Sequence, residues 1–389
     1  MYRFICISSL ALAACSPAPA SAPAPAPPGA HPTASAPKPQ AAAAPVQPSS
    51  QPAAAQPPAD PIDARVAAIN AATFVPVAAA VAMSGQPPAP TTTAAKPAPD
   101  DLLIRVEALL GRARFSPGVV DGLQGSNLDH ALASYRGARA IQAGGALDAA
   151  TWQALLMEPG GGAPVAAAYV VTAEDIAGPF APAVGENFVK LAALPQGPQF
   201  ATPLEALAER FHMSQALLKA LNPSEDFKTA GKKIVVIDAA PPSFQKGDVA
   251  SVEISKDKAQ AVALDKDGKV LAFYPATVGS TERPSPSGVH KVNGVAEAPD
   301  YVYDPKKLNW GPRAHGKLVI KPGPNGPVGT VWIDLNAPSY GIHGSPDPET
   351  IGKTASHGCV RLTNWDAEAL AAGVKPGVKV TFEGSRKKG

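Results

Sequence analysis

Cysteine is almost missing from this chain of 389 residues: there are 3, and Cys6 and Cys15 both lie at the N-terminus. Removal of an N-terminal leader leaves Cys359 with no internal partner, so a disulfide-stapled fold is excluded. A lone thiol in an exported protein is a liability unless its chemistry is used, which makes Cys359 the first candidate nucleophile. Aromatic residues are sparse at 6%. Charge is balanced, with 34 Lys and Arg against 32 Asp and Glu for a net +2, which is too near neutral to suggest nucleic acid as a partner. The 7 histidines form no HExxH or paired His/Cys spacing, so no metal is expected, and no cofactor is expected either. What the chain has in excess is proline, 45 residues against 34 glycines, so much of its length is not core.

The N-terminus reads as an export signal over residues 1–14. Met1-Tyr2-Arg3 supplies a short positive region, and Phe4 to Ala14 is apolar but too short to span a bilayer as a helix. Leu12-Ala13-Ala14-Cys15 resembles the bacterial lipobox, where cleavage leaves a lipid-modified cysteine; an ordinary small-residue cleavage site is the alternative. With Ser16 rather than Asp next, the resemblance implies a periplasmic lipoprotein anchored at Cys15 to the outer membrane. Residues 15–99 are dominated by Ala and Pro and are expected to be a disordered, extended tether, reaching on the order of 200 Å for ~80 residues at about 3.1 Å each. A less proline-rich patch, roughly Ile62 to Ala82, is expected to form only a transient helix.

Folded sequence is expected from Asp100. Leu102, Leu103, Val106, Leu109 and Leu110 recur at helical spacing, and further helices are expected around Leu128 to Ile141 and Ala149 to Leu156. With Phe115-Ser116-Pro117-Gly118, Asp121-Gly122, Gly125 and Leu147-Asp148-Ala149-Ala150-Thr151-Trp152, residues 100–158 resemble the small three-helix peptidoglycan-binding domain of wall hydrolases. Tyr135-Arg136 departs from the Phe-Gln usual there, and a helical spacer is the alternative to a binding module. Over 165–241, helices at Leu204 to Phe211 and Ala216 to Leu221, then Asn222-Pro223 and a strand Lys233 to Ile237, resemble a degenerate LysM module whose opening strand is poorly represented. Glycan binding and a purely structural role both stand for this segment.

From about Phe244 short β runs take over: Ala250 to Ile254, Ala259 to Leu264, Val270 to Tyr274, Gly288 to Val295, Val328 to Leu335 and Val378 to Phe382. One helix follows the cysteine, opened by Thr363-Asn364-Trp365-Asp366. Many short strands with one helix predict a β-rich domain of ~140 residues, so the chain is multidomain.

A thiolate nucleophile needs a base, something to orient that base, and donors for an oxyanion. His343 precedes Cys359 across a loop rich in Gly, Ser, Pro and Asp, and flanking β segments can bring the two side by side. The Gly344 carbonyl, or another nearby backbone oxygen, can hold the imidazole in the tautomer that accepts the thiol proton. Backbone N–H groups around Gly358-Cys359 are candidate oxyanion donors. His357 is a candidate for oxyanion or substrate contact, with loop stabilisation as the alternative. Arg361 shares a strand face with Cys359 by the period of two and can clamp a carboxylate, with a structural salt bridge as the alternative.

Gly341-Ile342-His343-Gly344 followed by Ser356-His357-Gly358-Cys359-Val360-Arg361-Leu362 resembles the active-site motif of L,D-transpeptidases with the YkuD-type catalytic domain. Ser285-Pro286-Ser287-Gly288 is similar to that family's Thr-Pro-x-Gly turn. The similarity covers about residues 249 to 383, within a catalytic domain placed at 245–384. It implies a nucleophile at Cys359, a general base at His343 and substrate contacts at Arg361 and Ser356. It also implies attack on a peptidoglycan stem, release of D-alanine, a thioester, and resolution by an amine acceptor to give a 3→3 cross-link. Water as acceptor would make the protein an L,D-carboxypeptidase or wall-peptide hydrolase, and a non-catalytic wall tether is the reading of another class. Sensitivity to carbapenems is implied as well. Residues from about Ala296 to Pro327, with Tyr301, Tyr303 and Trp310, are expected to form a lid over the cleft.

Overall fold

The computed structural model describes residues 60–76, 97–142, 147–306 and 315–384. Cys6, Cys15, Trp310 and most of the expected tether lie outside the described residues. The patch expected as a transient helix is instead a packed helix, α1 (Pro61–Ala71), with Ile69 wholly buried. Asp60 caps it by accepting from Ile62 N–H at 2.9 Å, and proline at the first position suits a helix start. Packing and polar ties hold it. Ile62, Val66 and Phe74 lie against the core, the Asn70 side chain accepts from Val165 and Ala166 N–H at 2.8 and 2.9 Å, and Lys233 pairs with Asp60 and Asp63. The tether expected over 15–99 is therefore interrupted by an anchored element, because a proline-poor stretch carrying Ile62, Val66 and Ile69 can bury what its Ala/Pro-rich neighbours cannot.

Three helices follow: α2 (Asp101–Arg112), α3 (Ser126–Ala138) and α4 (Ala149–Met157). Asp100 and Asp148 cap α2 and α4 through their side chains, while α3 starts at Gly125 with no side-chain cap. The next stretch is β1 (Ala166–Val170), α5 (Ala173–Ala177), α6 (Phe188–Ala192), α7 (Pro203–Arg210), α8 (Gln215–Leu221) and β2 (Lys233–Ile237), with β1 and β2 paired antiparallel. Asn222 joins α8 to β2: its amide donates to the Leu218 and Val235 carbonyls and its oxygen accepts from Val235 N–H at 2.7 Å. One apolar core runs through both stretches, from Ile69, Leu109, Leu132 and Trp152 to Leu207, Leu218 and Val236.

The remaining chain forms an eight-stranded sheet in the order β11-β10-β9-β6-β12-β3-β4-β5. Its members are β3 (Ser251–Ser255), β4 (Gln260–Leu264), β5 (Val270–Pro275), β6 (Gly288–Glu297), β9 (Val331–Leu335), β10 (Gly341–His343), β11 (Val360–Arg361) and β12 (Lys379–Glu383). A separate hairpin pairs β7 (Tyr301–Tyr303) with β8 (Leu318–Ile320). Helix α9 (Asn364–Gly373) starts at Thr363, whose hydroxyl accepts from Asp366 N–H at 3.2 Å, and buries Ala367 and Leu370 against the sheet. The architecture is the expected one: a β-rich domain with a helix after the cysteine, preceded by a helical region.

The peptidoglycan-binding-like turn is spent on packing. Phe115 bridges to Phe273 of β5, Ser116 N–H donates to the Phe273 carbonyl at 2.9 Å, and Ser116 Oγ donates to Asp366 at 2.8 Å. Asn127 donates to the Ile351 carbonyl at 2.9 Å. Tyr135, the departure from the usual Phe, is fully buried with its ring edge-on to Phe115 at 5.3 Å. Phe115 and Ser116, which belong to the resemblance, and Asn127 thus fasten the helical region to the β-rich domain.

Candidate active site

Strands β10 and β11 run parallel, with Ile342 beside Val360 and His343 beside Arg361. The same register sets Cys359 beside Gly341, so Cys359, Arg361 and His343 share one face. Ile342 and Val360 are fully buried on the other face. Glycine is needed at 341, because a Cβ there would overlap the Trp332 ring, which stacks on His343 at a centroid distance of 5.4 Å. Cys359 and His343 open on a single cleft of about 700 Å³, which Ser356, His357 and Arg361 also line.

His343 is 3% exposed, and its Nδ1 lies 2.7 Å from the Gly344 carbonyl. A carbonyl only accepts, so Nδ1 carries the proton and Nε2 keeps its lone pair. Burial, reinforced by the Arg361 guanidinium, lowers His343 to about 3 although the Gly344 carbonyl favours the charged ring. Burial pushes the Cys359 thiol up, opposed by the Gly341 N–H and by Arg361. At neutral pH the resting site therefore holds a neutral imidazole and a neutral thiol. Cys359 Sγ donates to the Ser339 carbonyl at 3.7 Å, rather than to His343.

The loop before Cys359 is tied by its own groups. Ser356 Oγ donates to the Cys359 carbonyl at 2.5 Å and accepts from Gly358 N–H at 3.1 Å. Two expectations change. The Gly358 N–H, expected to face an oxyanion, is engaged inside the turn, and the Ser356 hydroxyl, expected to meet substrate, closes that same turn. Among the described residues the Cys359 N–H meets no acceptor. Gly358 has φ 120° and lies under the Tyr340 ring, so glycine is required there on both counts. Ser285, from the Thr-Pro-x-Gly-like turn, donates to the Gly358 carbonyl at 2.7 Å and accepts from Gly279 N–H at 2.9 Å. His357 lines the cleft, half-buried, and burial followed by Arg361 and Arg283 lowers its pKa.

Arg361 is held by backbone bonds in both directions with Thr277 at 2.9 Å, and its guanidinium lies 3.7 Å from the Glu186 carboxylate. Glu186 comes from the stretch between α5 and α6, which together with Phe188 and Leu191 builds one wall of the cleft. Tyr301 and Val302 of the hairpin β7–β8 line the cleft as well. Phe188 and Leu191 join Tyr303 and Ile320 in a small core of their own, with Phe188 stacked on Tyr303 at 5.2 Å. Sequence reasoning missed Glu186, Trp332 and Ser339 in this site; none lies in a contiguous motif. Among the described residues no group of three or more His, Cys, Asp or Glu side chains is placed to hold a metal ion.

Residues 250–381 match the YkuD family model, described as an L,D-transpeptidase catalytic domain. The chain is similar to YkuD of Bacillus subtilis (strain 168), with 29% identity over 179 residues, 46% of this chain and 92% of that protein. It is similar to YqjB of the same organism, with 30% identity over 132 residues, 33% of this chain and 68% of that protein. Both relatives are named for the L,D-transpeptidases. It also resembles the crystal structure of L,D-transpeptidase 3 from Mycobacterium tuberculosis in complex with a faropenem-derived adduct, with 16% identity and a TM-score of 0.30, covering 39% of this chain and 66% of that one.

Proposed function

Because the chain belongs to the family of L,D-transpeptidases with a YkuD catalytic domain, we propose that it transfers peptidoglycan stem peptides through a thioester on Cys359. The observation that carries this reading is the placement of Cys359 and His343 on one face of adjacent strands, with the Gly344 carbonyl reserving His343 Nε2 as the basic nitrogen.

The thiol leaves the Ser339 carbonyl and gives its proton to His343 Nε2. The sulfur attacks the carbonyl that joins the third stem residue to the terminal D-alanine. The Cys359 N–H donates to the oxyanion in this reading, since that of Gly358 is engaged with Ser356. Collapse breaks the C–N bond, and the imidazolium returns its proton to the departing amine of D-alanine. An amine of a neighbouring stem then attacks the thioester, loses a proton to His343 and restores the thiol, leaving a 3→3 cross-link. Arg361 takes a substrate carboxylate, and His357 contributes to positioning. Water in place of the amine gives a tripeptide by the same steps.

The lipobox-like Leu12-Ala13-Ala14-Cys15 supports a periplasmic lipoprotein whose anchor and tether deliver the site to the wall. Incubation with disaccharide-tetrapeptide, followed by mass spectrometry of the products, tests the activity. A dimer formed with loss of D-alanine supports transpeptidation, and tripeptide alone supports the hydrolytic alternative. Absence of both products overturns the enzymatic reading in favour of a binding tether.

A further inference from the structure

If His343 is the base, its competence depends on what holds the Gly344 carbonyl. The Gly344 N–H reaches the Val331 carbonyl only at 3.4 Å, so the backbone ladder grips it weakly. The firmer support is Asn364, the first residue of α9. A Cβ on Gly344 or on Gly329 would overlap Asn364 Oδ1, so this side chain packs flush between two glycine backbones.

Asn364 is 2% exposed and its polar atoms are fully committed. Oδ1 accepts from Thr330 N–H at 3.2 Å, while Nδ2 donates to the Pro324 carbonyl at 3.2 Å and to Glu209 Oε1 at 2.6 Å. These partners fix the orientation of the amide, since a flip would set Nδ2 against the Thr330 N–H. Glu209, the shortest of the three contacts, belongs to α7 and stands outside the β-rich domain.

We propose that Glu209 is a positioning residue for the reaction: α7 holds the Asn364 amide, which holds Gly344, which holds the His343 ring. The segment at 165–241 is thereby part of the catalytic apparatus, whatever it binds. Burial raises Glu209 to about 8, with Asn364 opposing and Glu205 and Glu368 reinforcing, so the neutral acid presents its carbonyl oxygen to Asn364 at pH 7. The surrounding charge is itself tied, with Glu205 accepting from Asn325 and Ala201 and Glu368 from Thr330.

The inference rests on His343 acting as the base, so the test includes His343→Ala. Full-length Glu209→Gln, Glu209→Ala and Glu209→Asp are assayed for kcat and KM on disaccharide-tetrapeptide, and the hydrogen-bonded His343 Nδ1–H is followed by NMR of ¹⁵N-histidine protein. Glu209→Gln keeps a neutral acceptor and retains kcat within about threefold. Glu209→Ala, and Glu209→Asp should the alanine variant not fold, lose about tenfold in kcat with little change in KM, and the Nδ1–H signal broadens through solvent exchange. Wild-type kcat and an unchanged Nδ1–H signal in Glu209→Asp overturn the link, as does equal loss in Glu209→Gln. Wild-type turnover in His343→Ala is a different failure, because it removes the base beneath the inference.

Discussion

The Ser285 hydroxyl donates to the Gly358 carbonyl at 2.7 Å, immediately before the nucleophile in sequence, while accepting from Gly279 N–H. A side chain 4% exposed thus ties the cysteine loop to the neighbouring turn. Ser285→Ala leaves a buried carbonyl and a buried N–H unpaired. A loss of about 1–3 kcal/mol in denaturant-induced unfolding, with reduced turnover, is expected. Ser285→Thr keeps the hydroxyl and should recover most of both; equal stability of Ser285→Ala and the wild type would remove this tie from the account.

Gly344→Ala tests the hold on the base. The added methyl overlaps Asn364 Oδ1, so the carbonyl that orients His343 must move. Misplacement of a catalytic group by about 1 Å costs on the order of a hundredfold in rate. Turnover should fall by about that factor while circular dichroism stays native. Wild-type turnover would show that the Gly344 carbonyl does not govern the imidazole.

Much of this site was legible because its chemistry sits in two contiguous motifs, and the period of two correctly placed Arg361 on the face of Cys359. The hydrogen bonds within the turn were not legible. Residue types name the donors of Ser356 and Gly358, but whether they face substrate or each other depends on backbone dihedrals. β1 was missed because three of its five residues are alanine, leaving only Tyr169 and Val170 to signal a strand that pairing with β2 fixes. α1 was under-read because its anchors, Asn70 to Ala166 and Lys233 to Asp60, join residues far apart in sequence. Ser116 to Asp366 and Glu209 to Asn364 are long-range in the same way. Such ties between the helical region and the β-rich domain leave no mark on local pattern.

Stability should depend on pH through two sets of buried groups with opposite slopes. Burial lowers His343 to about 3 and His212 to about 4, so below about 6.5 the unfolded chain binds protons that the folded chain refuses, and stability falls as pH falls. Burial raises Glu209 to about 8, Asp366 to about 7 and Glu107 well above the usual carboxylate range, so above about 4 the unfolded chain releases protons that the folded chain retains, and stability falls as pH rises. The two slopes oppose each other between about pH 4.5 and 6.5, and only the carboxyl contribution continues above that. Tm measured by calorimetry should be highest in that interval and decline toward pH 8. A Tm that climbs from pH 6.5 to 8 would contradict these assignments.

The central claim is a covalent thioester on Cys359, and acid-quenched intact-protein mass spectrometry after mixing with disaccharide-tetrapeptide, without acceptor, tests it most directly. The account predicts a transient gain equal to the substrate less one D-alanine, mapped to the peptide containing Cys359 and absent from Cys359→Ala. Turnover of the tetrapeptide by Cys359→Ala, or an adduct on any other residue, would contradict it.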